Sequence, residues 1–178
     1  FLTNGWQLSG NYRWLHGTPY TAGFSIPGIG NTNLTGSYTE GARIALTGQE
    51  ISKGWNSDPY NQFNVAAFTA PKPGSMGLES PRTTMYGPPI NNLDLSISKS
   101  FPFGGKRRLE IRLDAFNALN TTQWSGVNRT INFASLTDNT ITNLPYDAAG
   151  NLIRTNGVGT ISGVRAARQL QLMGRFLF

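Results

Sequence analysis

The last eleven residues, Arg168–Phe178, constrain the fold most, because apolar and polar side chains alternate along them. Read with the two-residue period of a β-strand, one face is mostly polar, whereas the other is apolar and ends in two aromatic rings. The apolar face comprises Leu170, Leu172, Gly174, Phe176 and Phe178. A strand of a membrane β-barrel has this pattern, with apolar side chains toward lipid. A half-buried strand of a soluble sandwich has it too, so this stretch alone leaves both interpretations open.

Three further stretches alternate in the same way: Gly5–Leu15, Asn91–Phe101 and Arg108–Ala115. In the first of them, aromatic residues such as Trp6 and Trp14 lie toward both ends of the apolar face. That spacing suits a strand that meets two membrane interfaces. The sequence therefore predicts an all-β fold built from antiparallel transmembrane strands.

The faces of these strands predict which side chains meet lipid. We expect the apolar ones to face lipid: Leu93, Leu95, Ile97, Leu109, Ile111, Leu113, Leu170 and Leu172. We expect the charged ones between them to face the lumen: Asp94, Arg108, Glu110, Arg112 and Asp114. The reason is energetic, since an Arg or Lys on the lipid side costs ~2–4 kcal/mol at the bilayer midplane.

A short turn, Pro102–Lys106, joins the second and third of these strands. Side chains paired across strands point to the same side, so apolar must pair with apolar. Pairing Phe101 with Arg107 satisfies this condition and places Lys99 and Arg107 near the turn, where long side chains can snorkel to headgroups.

Two long polar stretches, residues 25–89 and 117–159, connect the remaining strands. Long loops on one side and a short turn on the other are typical of an outer-membrane barrel. Residues 62–68 are predicted either to form a short strand or to pack over the barrel mouth. Because four strands do not close a barrel, we expect one domain that is the C-terminal portion of a larger barrel.

Composition narrows the possible functions. No apolar run approaches the ~20 residues of a transmembrane helix. The net charge is +6, but the basic residues are scattered and do not form a stripe with stacking aromatics, which argues against nucleic-acid binding. The chain has no cysteine, and its single histidine has no clustered partners. We therefore expect no catalytic residues, no metal site and no cofactor.

Four segments resemble the C-terminal end of a TonB-dependent outer-membrane receptor of the Oar-like type, which carries an N-terminal carboxypeptidase-regulatory-like domain. They are Gly5–Gly10 followed by Gly17–Tyr20, Tyr86–Phe101, Arg108–Asn120 and Arg165–Phe178. The terminal strand is also similar to the signal read by the barrel-assembly machinery. Gln171, Phe176 and Phe178 match that signal, and its glycine stands at Gly174, whereas Met173 holds the expected place.

This resemblance implies a plugged barrel in the bacterial outer membrane that imports a ligand with energy passed on by TonB. Its partners would be outer-membrane lipid, the barrel-assembly machinery, and TonB through an N-terminal region outside this chain. The resemblance does not name the ligand, because fold does not determine function. Two alternatives stay open: another outer-membrane barrel, either a porin or a membrane-embedded enzyme, and a soluble all-β glycan-binding module.

Overall fold

A computed structural model describes residues 4–53 and 58–178, and nearly all their regular structure is β-strand. The strands are β1 (Trp6–Leu15), β2 (Pro19–Tyr20), β3 (Gly23–Ser25), β4 (Ala45–Leu46), β5 (Phe68–Thr69), β6 (Met85–Tyr86), β7 (Ile90–Pro102), β8 (Arg108–Phe116), β9 (Trp124–Val127), β10 (Thr130–Asn132), β11 (Ile161–Val164) and β12 (Gln169–Leu177). The helical segments are α1 (Asn31–Thr35) and a 3-10 turn (Val65–Ala67). Within these ranges, neither helical segment is long and apolar enough to cross a membrane.

The chain divides into two compact units. The sheet unit comprises the described residues of Phe1–His16 together with Pro89–Trp124 and Val164–Phe178. The connection unit comprises the described residues of Gly17–Pro88 and of Ser125–Gly163.

An antiparallel four-stranded sheet forms the sheet unit, in the order β1-β7-β8-β12. These are the four strands that the alternating pattern predicts, and no bound differs from the prediction by more than one residue. The antiparallel all-β prediction is therefore confirmed. Within the described chain, the sheet is open, with β1 and β12 at its edges.

The predicted register of the β7–β8 hairpin is wrong by two residues. Phe101 pairs with Leu109, not with Arg107, because β7 continues through Pro102 and the turn occupies residues 103–107. The amide of Phe103 donates to the Arg107 carbonyl at 3.0 Å, which closes the turn. Gly104 has a φ of 88°, a left-handed conformation that favours glycine. A shift of two residues leaves every side chain on the same face of the sheet, so apolar residues still pair with apolar residues.

The connections are asymmetric, as the sequence predicts. β1 leads to β7 through residues 16–89, and β8 leads to β12 through residues 117–168. Because neighbouring strands are antiparallel, both long connections leave the same end of the sheet, and the short β7–β8 turn lies at the opposite end.

The connection unit has a hydrophobic core of its own, which the polar composition of residues 25–89 and 117–159 does not predict. The short pairs β2–β6, β4–β5 and β9–β11 each form within one connection, whereas the parallel pair β3–β10 joins one connection to the other. Aromatic and branched residues from both connections fill the core, including Phe24, Ile44, Phe63, Phe68, Ile131, Phe133 and Val158.

Residues 62–68 contribute to this core. Asn64 precedes the 3-10 turn and Phe68 begins β5. The rings of Phe63 and Phe68 meet edge to face, with 5.8 Å between their centroids. The predicted short strand is therefore limited to Phe68, and the rest of the segment is a loop with the 3-10 turn Val65–Ala67.

Candidate functional site

One face of the four-stranded sheet is apolar along its central rows. Residues paired across the strands lie on the same side, so the register defines rows. The central row is Gly10, Leu95, Ala115 and Leu170, and the next row toward the hairpin turn is Leu8, Ile97, Leu113 and Leu172. Leu8 and Leu172 are 72% and 73% exposed in the described chain. A continuous exposed apolar sheet face of this kind marks an interaction surface.

All eight side chains that we expect to face lipid lie on this apolar face. Leu93 pairs with Tyr12, Leu109 pairs with Phe101 and Phe176, and the others occupy the rows between. The register therefore brings the predicted set together. Contact with lipid itself stays a prediction.

The five charged side chains that we expect to face the lumen lie together on the opposite face. There, Arg112 Nε lies 2.8 Å from Asp114 Oδ1. Arg175 Nε lies 4.0 Å from Glu110 Oε2, and these two residues are directly opposite in the register. The arginine side chains in both pairs are about half exposed, so each pair contributes at most about 1 kcal/mol. This face is polar and mixed in charge, as a surface that lines water should be.

Asp94, also on the polar face, ties β7 to two neighbouring segments. Arg13 Nη2 on β1 lies 3.7 Å from Asp94 Oδ2. The amide of Asn117, just beyond β8, donates to Asp94 Oδ1 at 3.0 Å, and Asn92 Nδ2 donates to the same oxygen at 2.8 Å. The Asp94 carboxylate therefore holds the residue at which β8 ends and the long connection to β12 begins.

Aromatic side chains border the apolar face at both ends. Trp6 lies toward the hairpin turn and Trp14 toward the long connections, and they are 55% and 63% exposed. Eight residues of strand span about 27 Å, which is about 19–22 Å along the membrane normal at a tilt of 35–45°. That height approaches the ~25 Å apolar band of an outer-membrane barrel.

Lys99 departs from the apolar pattern, and its surroundings differ from our expectation. It pairs with Ile111 on β8 and is only 6% exposed, so it does not extend freely from the turn. Its ammonium nitrogen lies 4.4 Å from the centre of the Trp6 ring and 5.4 Å from that of Phe101. Cation–π attraction thus partly replaces the hydration of a charge on the apolar side.

The residues of the predicted assembly signal lie along β12. Gln171 pairs with Asp114 on the polar face, whereas Gly174 and Phe176 pair with Ile111 and Leu109 on the apolar face. Phe176 and Phe178 stack with 6.4 Å between ring centroids. A Cβ added at Gly174 would meet nothing within 4 Å, so packing does not require glycine there. The role of these residues in assembly stays a prediction.

In the connection unit, the Glu79 carboxylate accepts hydrogen bonds from two segments of the connection between β1 and β7. Its carboxylate accepts hydrogen bonds from the Ser75 hydroxyl, from the amides of Met76 and Gly77 at 3.0 and 3.2 Å, and from the Arg43 amide at 3.1 Å. Burial raises the pKa of Glu79, but these donors outweigh it and lower the pKa to about 2. The carboxylate thereby joins residues 75–77 to Arg43, which precedes Glu79 by 36 positions in the chain.

The connection unit also contains a small cavity of about 220 Å³. Lys53, Asn61, Asn64 and Tyr146 are its polar lining residues, and Val65, Ala66, Leu144, Pro145 and Val158 are its apolar ones. Tyr146 donates its hydroxyl to Asp58 Oδ2 at 2.8 Å, and this hydrogen bond raises the pKa of the phenol. Within the described ranges, no group of three or more acidic or histidine side chains could hold a metal ion.

Sequence reasoning did not find Glu79, Tyr146 or the cavity. Each site depends on a partner far away in the chain: Arg43 lies 36 positions from Glu79, and Asp58 lies 88 positions from Tyr146. No local spacing marks such pairs. Two of the segments that carry the family resemblance, Gly17–Tyr20 and Tyr86–Phe101, are in contact in the structure, because β2 pairs with β6.

Comparison with protein families agrees with this geometry. A family model described as an outer membrane beta barrel domain matches residues 1–171. No curated protein and no solved structure matches the chain. The matched range includes three strands of the sheet in full and the first residues of the fourth. The chain therefore belongs to the outer membrane beta barrel domain family and is located in the bacterial outer membrane.

Proposed function

We propose that this chain is part of a TonB-dependent receptor that takes up a ligand across the outer membrane, without catalysing a reaction. One observation carries the proposal: both long connections leave the same end of the sheet and fold into one unit with a shared hydrophobic core. Loops on a rigid scaffold commonly carry binding sites, and long loops in outer-membrane barrels are extracellular.

The open sheet supports a large barrel. In the part of the chain that the structure describes, β1 and β12 have no second neighbour in the four-stranded sheet, and the smallest barrels need about eight strands. Receptors with about 22 strands have a plugged lumen. The mixed charges of the polar face suit a wall that meets either water or a plug.

The proposed partners follow from this role. Outer-membrane lipid covers the apolar face. The barrel-assembly machinery reads β12 and the residues Gln171, Gly174, Phe176 and Phe178. TonB contacts an N-terminal region outside this chain. The ligand is a solute recognised at the connection unit.

Binding to TonB tests the proposal directly. The protein expressed from its complete reading frame is purified in detergent and titrated with the purified periplasmic domain of TonB. We expect saturable binding that is lost when the first residues of the mature protein are deleted. No binding by the intact protein would refute the proposed energy coupling.

A porin is the principal alternative, and liposome swelling distinguishes the two. A porin reconstituted into liposomes admits small sugars and causes swelling, whereas a plugged receptor does not. We expect no swelling with arabinose or with a larger sugar such as stachyose. A hydrolytic activity of the purified protein would favour the membrane-embedded enzyme, while the soluble glycan-binding module does not fit an outer-membrane family.

A further inference from the structure

The hairpin turn between β7 and β8 concentrates positive charge. Residues 99–108 contain four basic residues and no acidic residue. Lys106 and Arg107 lie within the turn, and both are exposed. The ion pairs observed in the described chain involve Arg13, Arg112 and Arg175 instead. The exposed side chains of Lys106 and Arg107 can thus meet an external anion.

The same turn presents an aromatic surface. The ring of Phe103 lies 6.4 Å from that of Phe176, which stacks on Phe178 at the same distance. Phe103 is 60% exposed and Phe178 is 95% exposed. Phe176 belongs to the apolar face through its pairing with Leu109, so these rings continue the apolar face as far as the turn.

Charge and rings together match the chemistry of a lipid interface. Aromatic rings are enriched where the acyl region meets the headgroups, and lysine and arginine bind phosphate oxygens through charge-assisted hydrogen bonds. Lys99 adds a further positive charge on the apolar face, four residues before Phe103. Short turns of outer-membrane barrels lie on the periplasmic side, which places this surface at the periplasmic leaflet.

We propose that the β7–β8 turn is a binding site for an anionic phospholipid of the periplasmic leaflet, in which Lys106 and Arg107 bind the headgroup phosphate. Phe103 lies among the upper acyl carbons and holds the turn at the depth of the phosphates. The site would retain phosphatidylglycerol in preference to the zwitterionic phosphatidylcholine, because the latter carries a compensating positive charge.

Lipid retention in nanodiscs tests this site. The protein from its complete reading frame is reconstituted in an equimolar mixture of phosphatidylglycerol and phosphatidylcholine, released into mild detergent, and its retained lipids are counted by native mass spectrometry. One basic side chain near an anionic surface corresponds to about a fivefold change in binding, so Lys106→Ser with Arg107→Ser should lower phosphatidylglycerol retention about 25-fold.

The matched control removes the same charge from the opposite end of the sheet. Arg165 and Arg168 are exposed and precede β12, so Arg165→Ser with Arg168→Ser should leave retention within about twofold. Equal losses in the two double variants would mean that net charge alone binds the lipid, and would overturn the site. Unchanged retention in the Lys106 and Arg107 variant would overturn it as well.

Two further measurements test whether each variant folds and whether charge selects the lipid. Heat-modifiable mobility on gels shows whether each variant still forms a barrel. With the native sequence, 1 M NaCl should abolish the preference for phosphatidylglycerol, because it shortens the screening length to about 3 Å. A preference that survives this salt concentration would mean that charge does not select the lipid at the turn, and would overturn the proposal.

Discussion

The substitution Leu95→Arg tests which face of the sheet meets the bilayer. Leu95 lies in the central row beside Gly10 and Ala115, and Gly10 is four residues from both Trp6 and Trp14 on β1. The row therefore lies midway between the aromatic borders. An arginine facing lipid at the midplane costs ~2–4 kcal/mol. We expect Leu95→Arg to lower the free energy of unfolding by that amount.

The neighbouring residue provides a matched control. Ser96 lies on the polar face opposite Asp114, and its hydroxyl is hydrogen-bonded to that carboxylate. Ser96 and Asp114 are both partly exposed, and an arginine at position 96 would exchange this hydrogen bond for an ion pair that contributes about 1 kcal/mol or less. Ser96→Arg should therefore change the free energy of unfolding by less than about 1 kcal/mol, although it adds the same charge one residue away.

A third variant tests the dependence on depth. Ile111 is central in β8, but its row contains Trp6 and Lys99 and so lies near the hairpin end. A cation near the interface costs only ~0–1 kcal/mol, to which repulsion from Lys99 directly opposite adds a similar amount. Ile111→Arg should therefore lower the free energy of unfolding by an amount between those of the other two variants.

All three variants are made in the complete protein, folded into phospholipid vesicles and unfolded with guanidinium chloride. The expected order of destabilisation is Leu95→Arg, then Ile111→Arg, then Ser96→Arg. If Leu95→Arg and Ser96→Arg have equal small effects, the apolar face does not contact lipid and the assignment of the two faces is wrong.

Three other predictions concern assembly, pH and a close backbone contact. Phe178 is 95% exposed, so Phe178→Ser should scarcely change the stability of folded protein but should lower the amount assembled in the outer membrane, as measured by surface labelling; Tyr38→Ser, which removes an equally exposed ring, should not. Because the donors around Glu79 lower its pKa from 4.5 to about 2, its contribution to stability is complete above pH 4.5 and is lost as the pH falls toward 2. Glu79→Gln should remove that part of the pH dependence of the urea midpoint, and a curve that keeps its shape would refute this role; Glu40→Gln is the control. A Cβ at Gly17 would lie 1.7 Å from the Gly87 carbonyl oxygen, so Gly17→Ala should disrupt the β2–β6 pairing and increase proteolysis of the connection unit. Gly30→Ala is the control and should increase proteolysis less, because the nearest atom to the added Cβ is 3.7 Å away.

Strand alternation predicted the sheet unit well, because a period of two records which side chains share a face. The four main strands, the short turn and the grouping of charged residues follow directly from that period. The hairpin register was wrong because parity is unchanged by a shift of two residues, so the pattern cannot distinguish Arg107 from Leu109 as the partner of Phe101. The turn hydrogen bond between Phe103 and Arg107 decides between them.

For Lys99, the alternation predicts the face of the sheet but not the neighbouring side chains. The alternation placed this cation among apolar residues, but only the register on both sides shows that Trp6 is its neighbour. The energetic outcome depends on that neighbour, because a ring within 6 Å attracts the ammonium. The sequence could place the charge on the face but could not show what stabilises it.

The sequence by itself determined the membrane-type sheet: its strands, the membership of its two faces, and the end at which the long connections leave. Only the tertiary structure decided that those connections form a folded unit. Residues 25–89 and 117–159 have no sustained period, and their apolar residues are sparse and scattered. Phe63 and Phe133 become core residues only when the two segments meet. The physical reason is that burial depends on contacts between residues far apart in the chain, and these contacts cannot be predicted from local alternation.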